Sequence, residues 1–178
     1  MGINSREDSM KLIQRIALLC LVATPLLAEK AAPASAAPAN AGFEKMKTLV
    51  GDWKGKTAEG NDISVTYRLV AAGSAIEEHL NVADMITMYH VNGKNLMLTH
   101  YCAAGNQPRM KAAPFKDGDN TLAFVFLDAT NLPDKKAAYM HDATFTFVDA
   151  DHLVAAWTNY SGGKDAGKVV MNLERVKS

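Results

Sequence analysis

Gly51-Asp52-Trp53 opens the first strand-like run of this chain, and Arg175 lies in the last one, three residues from the C-terminus. A Gly-x-Trp ahead of a series of short strands, answered by a terminal Arg, predicts a sheet closed on itself. The guanidinium then packs on the indole and seals one end. On that expectation Gly51, Trp53 and Arg175 serve structural closure, and the chain is a container whose contents must be sought elsewhere.

Outward from Trp53, strand-like runs alternate with turn signals. The runs are 54–57, 63–70, 75–81, 85–91, 94–102, 121–127, 143–148, 153–160 and 169–176. Between them lie Glu59-Gly60-Asn61, Ala72-Gly73-Ser74, Asn92-Gly93, Asp117-Gly118-Asp119-Asn120, Asp149-Ala150-Asp151 and Ser161-Gly162-Gly163. Short strands at even spacing, with no long amphipathic helix, predict an all-β fold: an antiparallel up-and-down barrel of roughly nine or ten strands. Before it, 44–50 forms a short helical turn with Phe43, Met46, Leu49 and Val50 on one side. Residues 131–139 read as a longer loop or a brief helical turn. Asn106-Gln107-Pro108-Arg109 reads as a connection following a Gly105 turn.

Asn92-Gly93 is the strongest turn signal, because a type I′ turn needs positive φ at both central residues. A two-residue loop there pairs Val91 with Lys94, Tyr89 with Leu96, Thr87 with Leu98 and Met85 with His100. A short turn at Val82-Ala83 sets Leu80 beside Met85, Glu78 beside Thr87 and Ile76 beside Tyr89. Strand alternation then puts Ile76, Glu78, Leu80, Met85, Thr87, Tyr89, Leu96, Leu98, His100 and Cys102 on one face. Glu77, His79, Met88, His90, Asn95, Met97, Thr99 and Tyr101 take the other. The first set is the more apolar and is the expected lumen face; a one-residue slip would invert it.

The N-terminus reads as an export signal. Lys11 and Arg15 precede an almost unbroken apolar run at 16–27, and small residues follow. This predicts a signal peptide over 1–28, with translation starting at Met1 or Met10, and an Ala/Pro-rich tether over 29–42. Cuts after Ala28, Ala36 or Ala41 satisfy the small-x-small pattern. The apolar run is shorter than a membrane span, and Leu19 before Cys20 does not suit a lipobox. The expected localisation is periplasmic or secreted, with the barrel over 43–178. After export Cys102 is the one remaining thiol, which leaves no partner for an internal disulfide. Lys and Arg number 19, equal to the 19 Asp and Glu, so no basic footprint points to nucleic acid.

Gly51-Asp52-Trp53 with Arg175 resembles the calycin superfamily of lipocalins, fatty-acid-binding proteins and haem-binding nitrobindin-like barrels. The resemblance implies an antiparallel barrel around an internal ligand cavity. A closer resemblance is to a group of exported bacterial proteins without an assigned activity, which carry a segment like Leu98-Thr99-His100-Tyr101-Cys102-Ala103-Ala104-Gly105-Asn106-Gln107-Pro108-Arg109-Met110.

The candidate ligand-binding residues follow from the lumen assignment. Glu78 on an apolar inner face must pair, bind water or hold its proton more tightly. With Tyr89 and His100 it forms a polar anchor in an apolar cup. Asn106, Gln107 and Arg109 add donors able to orient a carboxylate or phosphate. The histidines do not converge, so no metal site is expected. His100 and Cys102 share a face but lie too far apart for a Cys–His nucleophile pair. The expected function is a carrier or sensor for a small, apolar or amphipathic molecule with a polar or acidic end. The alternatives are a barrel hydrolase or isomerase using His100 or Glu78 as general base, and a haem protein with His100 as axial ligand. The methionines and Trp157 are expected as core or cavity wall.

Overall fold

The computed structural model describes residues 40–177. The expected signal peptide, with Met10 and Cys20, and the tether as far as residue 39 lie outside the described residues. Residues 40–42 of the expected tether fall among the described residues. Asn40 caps the helix α1 (Ala41–Lys47), its side chain accepting from the Phe43 N–H at 3.0 Å and donating to the Lys94 carbonyl at 3.0 Å. A cut after Ala41 would fall inside this helix.

Ten strands follow: β1 (Gly51–Thr57), β2 (Asp62–Val70), β3 (Ala75–Leu80), β4 (Met85–Asn92), β5 (Asn95–Tyr101), β6 (Gln107–Ala112), β7 (Thr121–Thr130), β8 (Tyr139–Phe147), β9 (His152–Ser161) and β10 (Lys164–Arg175). Every strand pairs antiparallel with its sequence neighbour, and β1 pairs with β10, closing the barrel. Closure leaves no free edge. It is made possible at Gly55, where a Cβ would sit 1.8 Å from the Asn172 carbonyl oxygen of β10.

The strand missing from the sequence reading is β6. Pro108 pointed to a connection because it cannot donate to a ladder. Here Pro108 faces Ala129 in the β6–β7 pairing but lies one residue beyond the β5–β6 pairing, which ends at Thr99–Arg109. Asn106-Gln107-Pro108-Arg109 is therefore mostly strand, and only Asn106 lies in the turn.

The β4–β5 hairpin also differs from expectation. Asn92 pairs with Asn95, so the loop is Gly93-Lys94. Positive φ falls on Gly93 alone of these two, as in a type II′ turn with Gly at its first central position. The pairing moves two residues along: Tyr89 faces Leu98 and Thr87 faces His100. A slip of two preserves the faces, so the expected inner face is the lumen face. Ile76, Glu78, Thr87, Tyr89, Leu96, Leu98 and His100 are buried within the barrel, whereas His90, Asn95 and Tyr101 are exposed.

The two ends of the barrel differ. The end where β1 begins is covered by α1, whose Phe43 and Met46, together with Leu49, are buried in the core. Val50, expected on the same side, is instead exposed. Trp53 is 1% exposed and donates from Nε1 to the Leu49 carbonyl at 2.7 Å. The Arg175 guanidinium lies over its ring at 4.3 Å and donates to the Thr48, Val50 and Ala150 carbonyls. Gly51 permits this approach: its φ is +135°, and a Cβ would lie 3.0 Å from Arg175 Nη1. Above this plug Tyr89, Phe124, Phe145 and Trp157 pack at ring separations of 5.8 to 6.1 Å and fill the middle of the lumen. The opposite end carries the β1–β2, β3–β4, β5–β6, β7–β8 and β9–β10 connections.

Candidate functional site

Four inward side chains from four adjacent strands form one lateral row. Tyr67 of β2 pairs with Glu78 of β3, Glu78 with Thr87 of β4, and Thr87 with His100 of β5. The row follows from sequence alternation. Each strand places every second residue in the lumen, and in these strands the polar members fall at the same height. Tyr89 joins from the next row, its hydroxyl donating to Glu78 Oε2 in a short hydrogen bond.

The row borders a cavity of about 140 Å³ at the loop-bearing end. Apart from Thr57 its wall is otherwise apolar: Ile63, Leu80, Met85, Met140, Trp157 and Met171 contribute, and Val82 and Val169 reach it from more exposed positions. Among the described residues no lysine or arginine lines it. A larger groove beside Lys54, Asp62, His152 and Glu174 is more open to solvent.

Glu78 is 2% exposed. Burial disfavours its charged form and pushes its pKa up to about 7, although hydrogen bonds from Tyr89 and Tyr67 act in the opposite direction. Both tyrosines are pushed well upward, by burial first and the Glu78 charge second. His100 is 4% exposed, and burial pushes it down to about 4. Its imidazole is therefore neutral at physiological pH. Nδ1 is held by Thr87 Oγ1 at 2.9 Å, while Nε2 is buried with no partner among the described residues. The ring packs against Trp157 at 5.0 Å. A buried, unpartnered ring nitrogen in a cavity wall is the kind of exception that calls for an explanation.

The structure brings Glu78, Tyr89 and His100 together. It does not bring Asn106, Gln107 and Arg109 to them. Arg109 points outward and is engaged twice by Asp128, with Nε at 2.5 Å from Oδ1. Gln107 bonds Thr130 and the Gly105 carbonyl. Asn106 is buried, but its amide donates to the Ala138 carbonyl at 2.9 Å and holds the β5–β6 turn to the β7–β8 loop. These three read as contacts of the strand end rather than of the cavity.

Tyr67, Thr87 and the cavity role of Trp157 complete the site. Tyr67 had a signal: continuing the pairing from β3 back through the Ala72-Gly73-Ser74 turn places it opposite Glu78. Thr87 was placed on the right face, but the two-residue slip hid its contact with His100.

Among the described residues no group of three His, Cys, Asp or Glu side chains is placed to hold a metal. Haem fits poorly. His100 Nε2 is a suitable donor, but a 140 Å³ space lined from β1, β2, β3, β4, β5, β8, β9 and β10 is far too small for a porphyrin ring. Glu78, with a pKa near neutrality, could exchange a proton with a bound molecule. Cys102 lies in the β5–β6 turn outside the row, with its sulfur near the Ala104 N–H at 3.5 Å.

No family model and no curated protein matches the chain. Among solved structures, the crystal structure of Rv2717c from M. tuberculosis is similar, with a TM-score of 0.54 at 15% sequence identity, covering 79% of this chain and 99% of that one. At that identity the likeness carries the barrel fold and nothing finer.

Proposed function

We propose that this protein is an exported, calycin-type barrel that binds a small, largely apolar molecule with one polar group, as carrier or sensor. The observation that carries the proposal is the unpartnered Nε2 of His100, buried in an otherwise apolar cavity beside Glu78. Satisfied polar groups need no ligand. A buried acceptor or donor beside a cavity gains a hydrogen bond when a ligand reaches it, and the gain is typically about 1 kcal/mol or more. The apolar wall supplies the remaining affinity through burial. Export is supported by the basic, apolar and small-residue succession in 1–28. The volume suits a molecule on the order of ten heavy atoms or fewer, so a long-chain lipid could enter only if the loop-bearing end opened.

Native mass spectrometry after gentle purification tests the reading. A retained mass adduct that is lost on denaturation and reduced in His100→Ala is the expected result. Adduct-free protein in every preparation, with no small apolar molecule raising its unfolding temperature, would contradict it.

A further inference from the structure

We infer that the molecule this cavity takes is a small organic cation: a protonated primary or secondary amine on a compact apolar body, paired with Glu78 and donating a second hydrogen bond to His100 Nε2. The inference rests on the binding reading above and narrows the class of ligand.

Three observations support it. First, among the described residues the wall contains one carboxyl group, a histidine held neutral by burial, and no lysine or arginine. Arg109, the residue best suited to a ligand carboxylate, is turned outward and engaged by Asp128. An acidic ligand would meet Glu78 in a desolvated space with no positive charge to compensate either group. Second, Glu78 has the hydroxyls of Tyr67 and Tyr89 for partners but no cation. The missing component of this buried site is a positive charge. Third, an ammonium carries donors and no acceptor. Glu78 offers carboxylate oxygens. His100 offers an Nε2 lone pair once its Nδ1–H is given to Thr87 Oγ1. Trp157, against His100 at 5.0 Å, presents an indole to the ligand, and indoles attract cations.

The pairing requires ionised Glu78, so affinity must depend on pH. The titratable groups facing Glu78 are Tyr67 from β2, Tyr89 from β4 and His100 from β5. The tyrosines are pushed upward and His100 down to about 4, which leaves Glu78, at about 7, as the group that changes charge between pH 6 and pH 8. Amine binding should therefore be about tenfold weaker at pH 6 than at pH 8.

Isothermal titration of the intact protein with benzylamine, benzyl alcohol and benzoate, each at pH 6 and pH 8, tests this. The expected result is that benzylamine binds most tightly, with the roughly tenfold pH effect, that benzyl alcohol binds more weakly without it, and that benzoate does not bind. Glu78→Gln should erase the amine preference. If that variant does not fold, the wild-type series still decides. Tighter binding of benzoate or of benzyl alcohol would overturn the amine inference and leave the container intact. An amine affinity flat across pH 6 to 8 would also overturn it. Binding of none of the three, together with adduct-free protein, would overturn both readings.

Discussion

The two ends of this barrel are built on opposite terms. At the α1 end each strong donor has an acceptor: Trp53 Nε1 bonds Leu49, and the Arg175 guanidinium bonds three backbone carbonyls while stacking on the indole. At the loop end the lumen retains a space, an acid without a counter-charge and a ring nitrogen without a partner. Strained turns do not separate the ends: the β3–β4 connection holds Ala83 and Asp84 at positive φ of 53°, and the β2–β3 connection at the α1 end holds Ala71 and Ala72 at 49° and 53°, a conformation that costs non-glycine residues free energy. One end is packed for closure, whereas the other holds the cavity and the unpartnered ring nitrogen on which the proposed binding rests. Stability should therefore respond most to substitutions at the first end, and pH and ligands should act at the second.

The largest expected effect breaks the closed end. Trp53→Ala removes a fully buried indole, its hydrogen bond and the platform for Arg175, and should cost about 4 kcal/mol in denaturant-induced unfolding. A loss below about 1 kcal/mol would show that the plug is not what closes the barrel.

Next in size is the pH response of the cavity end. Glu78 has a raised pKa, so its proton stabilises the fold at low pH. That contribution is lost as pH rises from its unfolded value near 4.5 through about 7. His100 has a lowered pKa, so its contribution is present above 6.5 and is lost as pH falls toward 4. The two windows overlap with opposite slopes and largely cancel. Glu78→Gln should uncover the His100 slope, so that stability relative to wild type gains about 3 kcal/mol between pH 4 and pH 8. Parallel pH profiles would place Glu78 in water.

Arg175→Lys comes third. An ammonium cannot reach the Thr48, Val50 and Ala150 carbonyls together, nor stack as a planar group. The expected loss is about 2 kcal/mol. The smallest effect is at the open end, where Val82→Ala should change stability by less than about 0.5 kcal/mol. Such a change would widen the mouth and alter ligand exchange rates instead.

Much of this contrast was legible in the sequence, and the limits have physical causes. The closed end was readable because Gly-x-Trp and Arg175 are local signals at the chain's two sheet termini. The lumen face was readable because alternation survives a slip of two. The lateral row was not readable, because the height of His100 against Thr87 depends on whether the hairpin loop is Asn92-Gly93 or Gly93-Lys94. Both assignments satisfy the turn rules, and only ladder pairing throughout the barrel selects one. β6 was hidden by Pro108, which reads as a ladder breaker; in the barrel it sits at the strand end, paired with Ala129 of β7 but beyond the β5–β6 pairing. Arg109 was misplaced for the same reason: once 107–112 is a strand, parity with Met110 turns it outward toward Asp128.

Histidine-selective ¹⁵N NMR of His100, without and with benzylamine, tests the central claim most directly. The account predicts a neutral imidazole throughout pH 5.5 to 8, because burial holds its pKa near 4. It also predicts a change at Nε2 on ligand addition, while Nδ1 stays bonded to Thr87. A ring that titrates near 6.5, or one whose Nε2 is unmoved while a ligand binds, would contradict it.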